Sequence, residues 1–198
     1  MKLAILGSAL AGGAVQIVDI LLDDNLALDV RIYDDREDAQ GCSVLGVPVV
    51  GSLDRLLTDV SDGYVDSAII AVGSIGPRRE LFEKYSKTLL KFPTIISSKS
   101  TISQSAVFGR GNIVLPNVYI GPRVLIGDNN YFTTSTVINH DTTIGSHCYF
   151  STAVSVAGRV AIANRVRFDT ACCVTADSVV VDDSLIGPGE SFGPVRGR

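Results

Sequence analysis

The chain is poor in the residues from which metal centres are built. It has two histidines, His140 and His147, and four cysteines with no CxxC pair among them. The ligand sets of tetrahedral zinc sites are therefore missing. No segment concentrates Lys and Arg, and 17 basic against 21 acidic side chains leave a net charge of −4. A basic face for nucleic acid is not expected. No apolar run approaches the ~18 residues of a membrane span. The opening MKLAIL lacks the long apolar stretch of a secretory leader. The expectation is a cytoplasmic protein in a reducing compartment, with the adjacent Cys172 and Cys173 as small buried thiols, not a strained disulfide.

What is abundant is apolar and turn-forming. Hydrophobic residues make up 46% and charged residues only 19%, which excludes a disordered chain. Nineteen glycines in a Val/Ile-rich background favour strands and tight turns over long helices.

The first hundred residues alternate strand and helix. A strand over Leu3–Leu6 meets the glycine turn Gly7-Ser8-Ala9-Leu10-Ala11-Gly12-Gly13, then an apolar-periodic helix to about Leu22. Val30–Tyr33 is a second strand, closed by Asp34 and Asp35. Gly41 to Gly51 is a glycine-punctuated connection with short strands, followed by a short helix over Leu53–Leu57. Ser67–Val72 is a third strand, closed by Gly73. Pro77 to Leu90 is expected to be helical, with Lys91–Ile96 as a fourth strand. Such alternation predicts a Rossmann-like α/β domain with a parallel sheet over residues 1–98.

Beyond Ser100 a six-residue period takes over. Ile102, Phe108, Val114, Ile120, Ile126, Phe132, Ile138, Ile144, Phe150, Val156, Ile162, Phe168, Val174, Val180, Ile186 and Phe192 fall at every sixth position without a slip. The residue after each is mostly small, and the residue two before is often small or β-branched. A helix would need a period near 3.6 and a strand a period of two. A six-residue unit suits a short strand plus a turn, and three units close one triangular coil around the repeated apolar residue. Residues 99–198 are therefore expected to form a β-helix of about five coils.

Two local features could carry chemistry. His140 follows a core position and its neighbour, which puts it at a coil corner, with Asp141 beside it. A carboxylate on one ring nitrogen fixes the tautomer and raises the basicity of the other. The glycine turn after the first strand suits phosphate at a helix N-terminus, although Ala9 stands where GxGxxG has its second glycine. Asp34 and Asp35 end a strand where dinucleotide folds meet ribose hydroxyls, and they also suit a plain turn. Gly73 would let the chain approach the same ligand.

The run Ile138-Asn139-His140-Asp141-Thr142-Thr143-Ile144-Gly145 resembles the NHDC–IG region of the sugar acetyltransferases related to NeuD and PglD, and the resemblance covers the whole chain. It implies a left-handed parallel β-helix behind a nucleotide-sugar-binding domain. It implies His140 as catalytic base, tuned by Asp141. The nucleotide sugar would meet Ala9, Leu10 and Ala11 of the glycine turn, together with Asp34 and Asp35. Leu10 and Ala11 depart from the family's Gly and His. Acetyl-CoA would meet Tyr149, Thr170 and Pro188, with the Gly158 backbone near the thioester carbonyl. Tyr149 stands where the family's usual residue is His, and Pro188, where it is Gly, has no N–H to offer. The family further implies a homotrimer with acetyl-CoA in the groove between subunits.

The expected activity is N-acetylation of a UDP- or dTDP-linked 4-amino-4,6-dideoxy sugar by acetyl-CoA, through direct attack. No metal and no nucleophilic cysteine are needed. Alternatives are an O-acetyltransferase acting on a sialic acid or sugar hydroxyl, and a non-catalytic sugar-nucleotide-binding protein. A γ-class carbonic anhydrase needs three zinc-binding histidines, one more than the chain possesses.

Overall fold

The computed structural model describes residues 1–7, 12–24 and 29–194. Contacts divide the chain into two compact units, Met1–Ile95 and Ile96–Arg198.

In the first unit, β1 (Lys2–Leu6) lies between β2 (Asp29–Tyr33) and β5 (Ser67–Ile70), parallel to both. Strand β4 (Val47–Gly51) runs parallel to β2, and β3 (Ser43–Val44) closes that edge antiparallel to β4, giving the order β3-β4-β2-β1-β5. The sheet is thus mixed: a parallel body with a hairpin edge. The hairpin turns at Leu45 and Gly46, both at positive φ (47° and 85°), which suits the twist of a two-residue turn. Helices α1 (Gly13–Asp23), α2 (Leu53–Ser61) and α3 (Ile75–Tyr85) accompany the sheet. Leu3 to Leu6 are fully buried, as expected of a central parallel strand.

The expected fourth strand differs. Lys91 makes only a single parallel bridge to Ser67. Pro93 lacks an N–H and cannot extend the ladder. Ile95–Ile96 instead forms β6, which belongs to the β-helix. The repeat therefore begins one unit earlier than Ile102, at Ile96.

The second unit is a left-handed parallel β-helix of two-residue strands, from β6 to Ser191–Phe192. The strands form three sheets, each pairing residues 18 apart, as in Tyr119↔Val137, Leu125↔Thr143 and Tyr131↔Tyr149. The repeated apolar residue is the second of each strand, and those from Val114 to Ile186 are buried in one core cluster. Ile102, Phe108 and Phe192, at the ends, are partly buried. Phe132, Phe150 and Phe168 stack as a ladder, with centroids 4.6 and 4.7 Å apart and planes 13° from parallel.

The corners have a constant geometry. Asn117, Arg123, Asn129, Ser135, Asp141, His147 and their successors at every sixth position to Asp183 lie at positive φ, between 56° and 64°. Each such residue is the third in its turn. Its N–H reaches back to the preceding coil, as in Asp141 to the Pro122 carbonyl (3.0 Å) and Arg159 to the His140 carbonyl (2.9 Å). These bonds offset the cost of left-handed backbone at residues other than glycine.

Candidate active site

His140 and Asp141 occupy the corner that follows strand Val137–Ile138 and precedes strand Thr143–Ile144. His140 Nδ1 lies 2.7 Å from Asp141 Oδ2, so with Nδ1 protonated the ring donates to the carboxylate and Nε2 carries the free lone pair. The His140 side chain is 47% exposed and that of Asp141 30%, which leaves the ring accessible to a reactant. Asn139 is tied down through Nδ2, which donates to the Val156 carbonyl at 3.0 Å.

The left-handed turn that holds Asp141 (φ 59°) also brings it to Arg123, one coil earlier. Arg123 Nε donates to Oδ1 at 2.6 Å and Nη2 to Oδ2 at 2.8 Å. Hydrogen bonding from Arg123, and then from His140, holds the Asp141 carboxyl down at about 2, well below the usual carboxylate range. The acid is thus ionised at neutral pH. Arg123 was not singled out from the sequence. The available signal was its spacing of 18 from Asp141, once the coil length is known.

Gly158 stands one coil beyond His140, at the same corner. A Cβ there would come within 2.7 Å of both Cε1 and Nε2 of His140. The imidazole therefore lies against the bare Cα, and any side chain there would push the ring from this position. Among the described residues the Gly158 N–H has no acceptor, while its carbonyl accepts from Asp177 N at 3.3 Å. Gly121, one coil before Asn139, is similarly close: a Cβ there would meet His140 N at 3.0 Å.

The remaining expected positions lie elsewhere on the β-helix. Tyr149 is on the third sheet, with its ring 5.6 Å from that of Tyr131 and under the Arg167 guanidinium at 5.0 Å. Thr170 and Pro188 sit one coil apart at the corner after that sheet. Thr170 Oγ1 lies 3.0 Å from Ser151 Oγ. Within one chain, His140, Asp141 and Gly158 converge, and Tyr149, Thr170 and Pro188 do not join them. His147 is at a further corner, where its Nδ1 meets Asn129 Nδ2 at 2.8 Å. Burial, and then the adjoining Cys173, push the Cys172 thiol up to about 11, so it is no nucleophile at neutral pH. Among the described residues no group of three His, Cys, Asp or Glu is arranged to hold a metal ion. None of the described helices is long and apolar enough to cross a membrane.

In the first unit, Gly7, Asp34 and Gly73 follow β1, β2 and β5 at the carboxyl edge of the sheet, where α/β folds bind ligands. Gly7 is at φ 75°, and a Cβ on it would strike Val72 at 2.7 Å. Ala9, Leu10 and Ala11 lie outside the described residues. Both aspartates have structural partners. Buried Asp34 is bound by Arg36 through Nε (3.1 Å) and Nη2 (3.0 Å). Asp35 Oδ1 accepts the Leu53 N–H at 2.8 Å, which caps α2. The Gly73 carbonyl accepts from buried Arg78 at 3.1 Å.

Solved structures similar to this chain cover nearly all of it. A histidine-to-alanine variant of GDP-perosamine N-acetyltransferase from Caulobacter crescentus, in complex with CoA and GDP-perosamine, matches with a TM-score of 0.90 at 25% identity, over 98% of this chain and 89% of that one. PerB from the same organism, with the same two ligands, matches with a TM-score of 0.89 at 25% identity, over 98% and 89%. The acetyltransferase domain of PglB from Neisseria gonorrhoeae FA1090, in complex with acetyl coenzyme A, has a TM-score of 0.78 at 20% identity over 98% of each chain. No family model matches the chain, and no curated protein matches it by sequence. The resemblance to sugar acetyltransferases of the hexapeptide-repeat type thus extends over both units.

Proposed function

We propose that this chain is an acetyl-CoA-dependent sugar N-acetyltransferase, acting on the amino group of a nucleotide-linked 4-amino-4,6-dideoxy sugar with His140 as general base. The observation that carries this reading is the accessible His140 ring, bonded to Asp141 through Nδ1 and lying against Gly158. It is supported by the likeness, over 98% of the chain, to an enzyme crystallised with CoA and an amino-sugar nucleotide.

The chemistry follows from the pair. The neutral amine attacks the thioester carbonyl carbon, and Nε2 of His140 takes the proton the nitrogen sheds. Asp141 steadies the imidazolium so formed. The oxyanion needs an N–H donor, and the unengaged Gly158 N–H is suited to it. As the C–S bond breaks, the proton passes from His140 to the departing CoA thiolate. No acyl-enzyme forms.

For acetyl-CoA, Tyr149, Thr170, Pro188 and the Gly158 backbone remain the proposed contacts. They lie on different sheets and corners of one chain, so a cofactor touching them all would span two copies, which favours a homotrimer with the cofactor between subunits. For the nucleotide sugar, the proposed contacts are Ala9, Leu10, Ala11, Asp34, Asp35 and Gly73. Asp35 uses one oxygen on Leu53, and a ribose hydroxyl can donate to the other. UDP and dTDP are the nucleotides expected from the sequence, and the GDP-perosamine bound to PerB makes GDP the third to compare.

The test is a thiol-release assay with acetyl-CoA and 4-amino-4,6-dideoxy sugars linked to UDP, dTDP or GDP, beside sialic acid. Thiol release with an amino sugar, and acetyl recovered on its nitrogen, is the expected result. Transfer to sialic acid alone would make it an O-acetyltransferase. Failure to bind acetyl-CoA in calorimetry would leave a binding protein.

A further inference from the structure

One column of the β-helix carries alternating charges at the catalytic corner. Positions 123, 141, 159 and 177, each 18 apart, are Arg, Asp, Arg and Asp, all at positive φ. They pair off: Arg123 with Asp141, and Arg159 with Asp177 through Nε at 2.6 Å and Nη2 at 3.0 Å. Exposed ion pairs of this kind contribute little to stability. The first pair is special because its carboxylate is also the partner of His140. Oδ2 of Asp141 accepts from both Arg123 Nη2 and His140 Nδ1.

We infer that Arg123 is a positioning residue: its guanidinium spans both oxygens of Asp141, which fixes the plane of the carboxylate against the His140 ring and offsets the charge that would otherwise favour the imidazolium. This rests on the reading of His140 as the base.

Geometry supports the first half. A carboxylate held only by an imidazole can rotate about its Cβ–Cγ bond, and the ring would rotate with it. The planar fork of Arg123 removes that freedom, which a lysine cannot do. The Arg123 main chain is anchored too, since its backbone N–H donates to Ser105 Oγ at 3.0 Å. Electrostatics supports the second half. The groups bearing on Asp141 are Arg123, His140 and Arg159, and Arg159 is already engaged by Asp177. A base that must accept a proton during the reaction works best when it begins neutral at the working pH. An unopposed negative charge beside an imidazole favours its protonated form over the neutral one. Arg123 permits the orienting hydrogen bond without that penalty.

The experiment compares Arg123→Ala, Arg123→Gln and Arg123→Lys with wild type and with Arg165→Ala. Arg165 likewise spans carboxylates 17 and 18 residues away, Asp182 and Asp183, at another corner, away from the His140–Asp141 dyad, and serves as the control. For each variant the readouts are melting temperature, kcat and KM for both substrates, and the pH profile of kcat/KM. Arg123→Ala and Arg123→Gln are expected to lower kcat about tenfold with KM nearly unchanged, in line with a slightly misplaced catalytic group. Their acid limb should move to higher pH. Arg123→Lys should return the acid limb towards its wild-type position, because the charge is restored, without restoring kcat. Arg165→Ala should match wild type throughout. If Arg123→Ala does not fold, the Gln variant gives the same reading. Wild-type kcat and an unmoved acid limb in folded Arg123 variants, with His140→Ala inactive, would overturn the inference while sparing the base assignment. An active His140→Ala would instead remove the premise.

Discussion

Replacing His140 by alanine deletes the proposed base at a half-exposed corner. Turnover is expected to fall about 10²- to 10⁴-fold, the usual worth of a general base. Thermal melting should stay near wild type, and steady-state kinetics beside a melt checks both. Gly158→Ala attacks the same group from below. Its methyl would need the space of Nε2 and Cε1, 2.7 Å away, so the ring must swing off its aim. We expect a loss of about tenfold or more in kcat, since a displacement near 1 Å can cost about 100-fold. A Gly158→Ala enzyme with full kcat would show that the ring's resting position is immaterial. Asp141 offers a test in pH. Its carboxyl is held at about 2 by Arg123 and His140, below the ordinary range, so the charged form is favoured in the folded state. Its contribution to stability is therefore present above the ordinary carboxylate value and lost as pH falls through about 2. Because the Arg123–Asp141 pair is solvent-exposed, the effect is small: Asp141→Asn should be slightly less stable than wild type at neutral pH, and the gap should close between about pH 4 and pH 2 in chemical denaturation. The His–Asp dyad was legible in the sequence because its members are adjacent. Arg123 was not, because its partnership is made by stacking, across a full coil. Asp34 and Asp35 show the converse: their place at the strand end was legible, while their bonds to Arg36 and Leu53 depend on how the following segments return.

Among the elements, the two-residue strands of the β-helix depend on side-chain columns. Each contributes few hydrogen bonds, so the inward residue carries much of the stability. Phe150 lies between Phe132 and Phe168 at stacking distance on both sides and is fully buried. Phe150→Ala should cost about 3–5 kcal/mol, measurable by urea or guanidinium unfolding, whereas Phe192, only partly buried at the end, should cost less. The column was plain from the sequence because a period of six matches neither helix nor simple strand. The element missed was β6. Its Ile95–Ile96 is in phase with the repeat, but Lys91–Ile96 also makes a plausible strand for the preceding sheet. Pro93 decides between them by stopping that sheet's ladder at Lys91. In the first unit, the hairpin Ser43–Gly51 was expected only as short strands. Its antiparallel pairing depends on Leu45 and Gly46 adopting positive φ, a property of the turn more than of the strands.

At the scale of the molecule, the proposed cofactor contacts are what call for more than one copy. With a chain mass of 20.9 kDa, sedimentation at micromolar concentration should report three times that value, and a monomer would count against a cofactor site shared between copies. The coil length has its own consequence. Since Pro122, His140 and Gly158 follow one another at the same corner, any change in chain length between them must come in whole multiples of 18. A segment of that length can be spliced in or out like a storey in a tower, leaving every column plumb. A single extra residue would turn all the floors beyond it out of line. Variation in the height of such towers should therefore be quantised, with smaller insertions confined to loops that bulge from a landing.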